Sequence, residues 1–123
     1  MGRDLNPLRA RITALKWGRV GIVALPGEIF AETALKIREK LAQQDLLFVL
    51  AYADDNPGYI PPESDYLRGG YEIDEAHRFY GLGATIAPKT AEHLAEAGCK
   101  SVEMAEISAA QTRSTKTYLS QGV

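Results

Sequence analysis

The sequence predicts an α/β domain built on a mixed sheet, and three observations carry that reading. Residues 20–25 form an apolar run that follows an alternating segment across a glycine turn, the pattern of a β-hairpin. Residues 46–53 form a second apolar run, and the stretch between the two has helical spacing, so strand, helix and strand make a right-handed parallel crossover. A long glycine- and tyrosine-rich loop and a further helix-spaced stripe complete the chain. Its 123 residues and 46% hydrophobic content suit a single domain, residues 1–123, with one core.

Each element has its own warrant. Arg11-Ile12-Thr13-Ala14-Leu15-Lys16 alternates apolar and polar residues, Trp17-Gly18-Arg19 supplies the turn, and the apolar run after it is the more buried strand of the hairpin. Leu25-Pro26-Gly27-Glu28 ends that run in a turn and delivers a carboxylate to the first turn of an amphipathic helix over residues 29–43. Phe30, Ala34, Ile37 and Leu41 share one face of that helix, with Glu32, Lys36, Glu39, Lys40 and Gln43 on the other. A corner of this kind lies at the carboxyl edge of a sheet, where α/β proteins bind ligands, although the helix dipole alone also favours a Glu there. The run at 46–53 reads as a strand covered on both faces.

Residues 54–87 differ in kind. They hold Asp54-Asp55-Asn56-Pro57-Gly58, Pro61-Pro62, Gly69-Gly70, Gly81 and Gly83, so loops and turns dominate. Tyr52, Tyr59, Tyr66, Tyr71 and Tyr80, five of the six tyrosines, crowd in and beside this stretch, which makes the loop a functional candidate. From Pro88, acceptable in a first turn, Ala91, Leu94, Gly98, Val102, Ala105 and Ala109 make a helical stripe. Gly98 either marks close packing or splits that helix, and residues 111–123 read as a polar, frayed tail.

Composition narrows the function classes. A net charge of −2 leaves no basic surface for nucleic acid. The longest apolar stretch falls well short of the roughly 20 residues that span a bilayer, so no transmembrane segment is expected. The start carries no signal-peptide core, and a soluble, cytoplasmic chain is the expectation. Cys99, the single cysteine, excludes an internal disulfide and a thiolate metal cluster, and its apolar surroundings suit a small core residue.

The order of these segments carries a resemblance. An apolar strand ending in Leu25-Pro26-Gly27-Glu28, a helix, a strand ending in Ala51-Tyr52-Ala53, then Gly58-Tyr59-Ile60-Pro61 and Gly69-Gly70-Tyr71-Glu72 resembles the neutral/alkaline ceramidase family, over residues 11–83. The intervals between Tyr59, Tyr66 and Tyr71 follow the family's two tyrosine motifs. The likeness is to the C-terminal end of a longer zinc amidohydrolase domain that cleaves N-acylsphingosine, so a lipid amide is the implied substrate. It implies Glu28 and Tyr59 as zinc ligands and Tyr71 as the catalytic tyrosine facing the substrate carbonyl. The chain departs from the family at Asp54, where Asn is usual, at Asn56, where an aromatic is common, and at Pro62, where Thr is usual.

A larger departure concerns histidine. The family supplies two histidine zinc ligands from segments upstream, and in this sequence no histidine precedes the first strand. His77 and His93 match no family ligand. His77 lies near Glu72, Asp74 and Glu75, either a weak site for a hard ion or a solvated acidic face, and His93 reads as exposed beside Glu92 and Glu96. Two oxygen donors alone bind zinc poorly. Three readings follow. The chain is a fragment or separate subunit of a ceramidase-like hydrolase, inactive alone, whose zinc is held only with a histidine-bearing partner chain. Alternatively it is a non-catalytic, homo-oligomerising module derived from that fold, or a small enzyme that uses Glu28 with tyrosines or His77 as acid and base.

Overall fold

A computed structural model describes the backbone of residues 9–120 and the side chains of residues 9–109. Strands β1 (Thr13–Trp17) and β2 (Val20–Ala24) pair antiparallel through a turn in which Gly18 takes φ 59°, and β4 (Leu46–Leu50) lies parallel to β2 on its other side. Helix α1 (Ala31–Lys40) makes the crossover between them, and α2 (Thr90–Ser120) packs across β1, β2 and α1. A second, minimal sheet joins β3 (Glu28–Ile29) to β5 (Tyr59–Ile60), also in parallel. The expected mixed α/β sheet, hairpin, crossover and C-terminal helix are all present.

The core lies between the main sheet and the two helices. Val23, Leu25, Ile37 and Leu41 are fully or almost fully buried, and Ala91, Leu94, Ala95, Cys99 and Val102 of α2 close over them. Gly98 marks close packing and leaves α2 unbroken. A Cβ at Gly98 would stand 3.0 Å from Val23 Cγ2 and 3.6 Å from Leu25 Cδ2, so the helix rests on the strand with no room for a side chain. One polar cluster fills the covered face at its edge: Lys16 Nζ donates to Gln44 Oε1 (2.7 Å) and Glu106 Oε1 (3.3 Å), and Gln44 Nε2 donates to the same Glu106 oxygen (2.6 Å). That cluster ties β1, the exit of α1 and α2 together, so the lysine amino group under the helix has its partners.

Four expectations need correction. Glu28 does not sit in the first turn of a helix: it is extended in β3, because its N–H donates to Gly58 O at 2.8 Å and draws the chain into strand pairing before α1 begins at Ala31. The helix is shorter than 29–43, running Ala31–Lys40 with Leu41 as its C-cap, and it buries Thr33 and Ile37, with Phe30 left at the N-terminal cap position. Strand β4 is not covered on both faces. Leu47 and Val49 turn inward while Leu46, Phe48 and Leu50 are exposed, and the strand stops at Leu50 because Tyr52 takes φ 59°. Pro88 lies outside α2; Lys89 at φ 70° intervenes, and Thr90 Oγ1 donates to Ala87 O at 2.7 Å where the helix opens. The stretch 111–123, expected to fray, lies outside the described side chains.

The contact at Gly98 generates a test. Gly98→Val forces a branched side chain between α2 and β2, and it should destabilise the fold by about 1–3 kcal/mol, read as a lower urea midpoint at unchanged m-value.

Candidate functional site

The site begins at the corner that ends β2. Leu25 and Pro26 are buried, and Gly27 takes φ 73°, a conformation in which only glycine is unstrained. Space alone would also demand glycine, since a Cβ there would meet Gly58 O and Ile60 Cδ1 at 2.8 Å. Backbone bonds then lace the corner to the chain leaving β4. Gly27 N–H donates to Asp55 O (3.0 Å), Tyr52 N–H donates to Gly27 O (3.0 Å), and Ala53 N–H donates to Leu25 O (3.0 Å).

That lacing sets the register of the small sheet. Glu28 is paired with Tyr59 and Ile29 with Ile60. Directly paired residues on parallel strands share a face, with backbones about 5 Å apart. The Glu28 carboxylate and the Tyr59 ring therefore emerge side by side, while Ile60 turns into the core. Two more tyrosines complete the surroundings. Tyr80 Oη donates to Glu28 Oε1 at 3.4 Å, and the Tyr52 phenol feels the same carboxylate, which raises its pKa. Tyr80 reaches it by lying against Gly58, where a Cβ would be 2.7 Å from the ring; φ 100° at Gly58 is a second reason for glycine there.

The rings form one edge-to-face group. Tyr59 meets Phe30 at 6.4 Å, Tyr71 at 6.1 Å and Tyr80 at 6.4 Å between centroids, each close to perpendicular, an arrangement favoured by the ring quadrupoles. Tyr71 in turn leans on Phe79. Glu28, Tyr59 and Tyr71, singled out by the sequence, thus come together at the carboxyl edge of the strands. Tyr52 and Tyr80 carry no role in the sequence reading, and the tyrosine crowding is the signal that points to them. Tyr66, between the two motifs, serves the architecture, because its hydroxyl donates to Ile86 O at 2.8 Å and pins the loop.

Electrostatics fix the protonation of the tyrosines. The hydrogen bond from Tyr59 to Glu28 and the carboxylate's charge push the Tyr59 phenol up to about 12, with burial adding to the shift. Tyr52 is raised chiefly by its own hydrogen-bonding interaction with the same carboxylate, and Tyr80 first by burial and then by the Glu28 charge. All three hydroxyls are neutral donors at physiological pH. The arrangement is a carboxylate bracketed by phenols, able to present two adjacent oxygens, Glu28 and Tyr59, to a hard cation or a polar ligand.

The histidines stand apart from this group. His77 is half-buried on a 3-10 turn, Ala76–Arg78, with Nδ1 buried and lacking a hydrogen-bond partner, while His93 is exposed on α2. Glu72, Asp74 and Glu75 are exposed, and Asp74 accepts the Gly70 N–H at 2.8 Å, which is loop architecture. Among the described residues no three His, Cys, Asp or Glu side chains converge as a metal site. The buried Cys99 thiol is raised by its burial and belongs to the core.

Charge removal tests the pairing. Glu28→Gln should bring the Tyr59 titration down from about 12 toward the ordinary 10, read from phenolate absorbance. The sign for stability follows. A phenol raised by folding contributes its full stabilisation below its unfolded value near 10 and loses it as pH climbs toward 12, so wild type should lose more stability across that alkaline window than Glu28→Gln.

Comparison of the chain with protein families, curated proteins and solved structures finds no match to any of them.

Proposed function

We propose that this chain contributes part of the metal and substrate site of a zinc-dependent amide hydrolase of the ceramidase-like kind and is not competent alone. The observation that carries the reading is the pairing of Glu28 with Tyr59 in β3 and β5, which sets two oxygen donors side by side with the Tyr71 ring against Tyr59. These are the residues that the resemblance implies as two ligands and a catalytic tyrosine. The donor set does not fit a complete zinc site. It offers two oxygens and no converging nitrogen among the described residues, whereas tight sites close with three or four protein donors. The carboxylate also works against ligation by holding the Tyr59 proton, and the resemblance implies that the remaining donors are histidines of a partner chain. A lipid amide is the substrate class this reading implies.

A second reading, a non-catalytic module that associates with itself, is favoured by a different observation, the exposed apolar face of the main sheet.

Metal analysis separates the two. On the hydrolase reading, the purified chain carries no stoichiometric zinc, gains it when mixed with a histidine-bearing partner of the ceramidase-like kind, and loses that gain in Glu28→Gln, with Tyr59→Phe weakening it by about 10–100-fold. Stoichiometric zinc on the chain alone, or zinc in the pair indifferent to Glu28→Gln, overturns it.

A further inference from the structure

The main sheet has one covered face and one open face. On the open face the register builds three rows across β1, β2 and β4: Thr13, Ala24 and Leu50; Leu15, Ile22 and Phe48; Trp17, Val20 and Leu46. Eight of these nine positions are apolar and none is charged. Trp17 is 77% exposed, Leu46 54%, Phe48 53%, Leu15 53% and Leu50 47%. Both helices pack on the opposite side, and the second sheet continues from the far end of the strands, so nothing described in this chain covers the array. A contiguous patch of this kind marks a surface made for contact.

We propose that this face is the interface of a homodimer, in which the three-stranded sheets of two copies pack face to face. Three properties favour a second copy as the occupant. The array lacks charge, so two identical faces meet without like-charge repulsion. Its two ends each carry both signs, Arg19 bonded to Asp45 at one end (2.9 Å) and Arg11 with Asp54 and Asp55 at the other, so a two-fold arrangement sets mixed charge against mixed charge. The area is sufficient as well. From the exposed fractions of these side chains, pairing would bury on the order of 600 Å² per copy, about 1,200 Å² in total, at the lower bound for a specific stable interface. Ile22, at the centre of the array on the central strand, lies near the two-fold axis. Sheets stacked in this way lie about 10 Å apart with strands within about 30° of alignment, and side chains at period two interdigitate.

The proposal stands apart from the metal reading, because none of the nine positions belongs to the group around Glu28. Sedimentation equilibrium of the full chain over a concentration series tests it. Wild type should show a monomer–dimer equilibrium approaching twice 13.4 kDa. Phe48→Lys and Leu15→Lys should each weaken dimerisation at least ten-fold with circular dichroism unchanged, whereas Leu35→Lys, an exposed leucine on α1 away from the array, should leave it intact. A wild-type chain monomeric throughout assigns the face to a different partner and overturns the proposal. So does a dimer insensitive to both lysine variants, or one lost equally in Leu35→Lys.

Discussion

The whole tyrosine–carboxylate group depends on the contact between Gly27 and Gly58 O. The positive φ of Gly27 turns the chain out of β2 without a helix, and the missing side chain lets the returning backbone approach to hydrogen-bonding distance. Glu28 is thereby held in a strand beside Tyr59. Had the helix begun at the proline, as its sequence signals allow, the carboxylate would have followed a helical track and the Tyr59 hydroxyl would have lacked its acceptor. The tight corner also draws Tyr52 in, since the Tyr52 N–H bonds to the Gly27 carbonyl. Gly58 repeats the logic one layer out by letting the Tyr80 ring lie on the backbone.

Much of the fold was legible because it rests on local period. The alternation in β1, the apolar run of β2 and the stripe of α2 each encode one element, while Gly98, open in the sequence between close packing and a break, is decided by the structure as a tight helix–strand contact. Two of the errors share one cause. A continuous apolar run such as 46–53 says that a strand is hydrophobic on both sides but not that this protein leaves one side open, and a Pro-Gly turn before an amphipathic stretch says that a helix is near but not that two residues first pair with a distant segment. Both are decided by packing that no local period records: the helices cover only one face of β4, and Gly58 and Tyr59 capture Glu28 from a distant segment.

For the site, the sequence supplied identities better than arrangement. Glu28, Tyr59 and Tyr71 were chosen from the order of motifs, and they do meet. Tyr52 and Tyr80 escaped because their approach to Glu28 depends on a left-handed residue and on a ring stacked over a glycine, neither of which has a periodic signature. The chemistry of the cluster is likewise a property of the assembly: a phenol beside a carboxylate keeps its proton, so the same pair of oxygens is a donor–acceptor couple by itself and a ligand pair only where a cation displaces that proton.

The smallness of the second sheet has a dynamic consequence. Two residues per strand give β3 and β5 few backbone bonds to break, whereas β1, β2 and β4 form full ladders, and it is mainly Ile60, with Ile29 beside it, that holds the small sheet to the shared core. Amide exchange should therefore divide the molecule into a slow unit, the three-stranded sheet with its helices, and a fast one formed by the β3–β5 pairing and the loop beyond it. Glu28 sits on the seam between the two, in the pairing with the fewest backbone bonds.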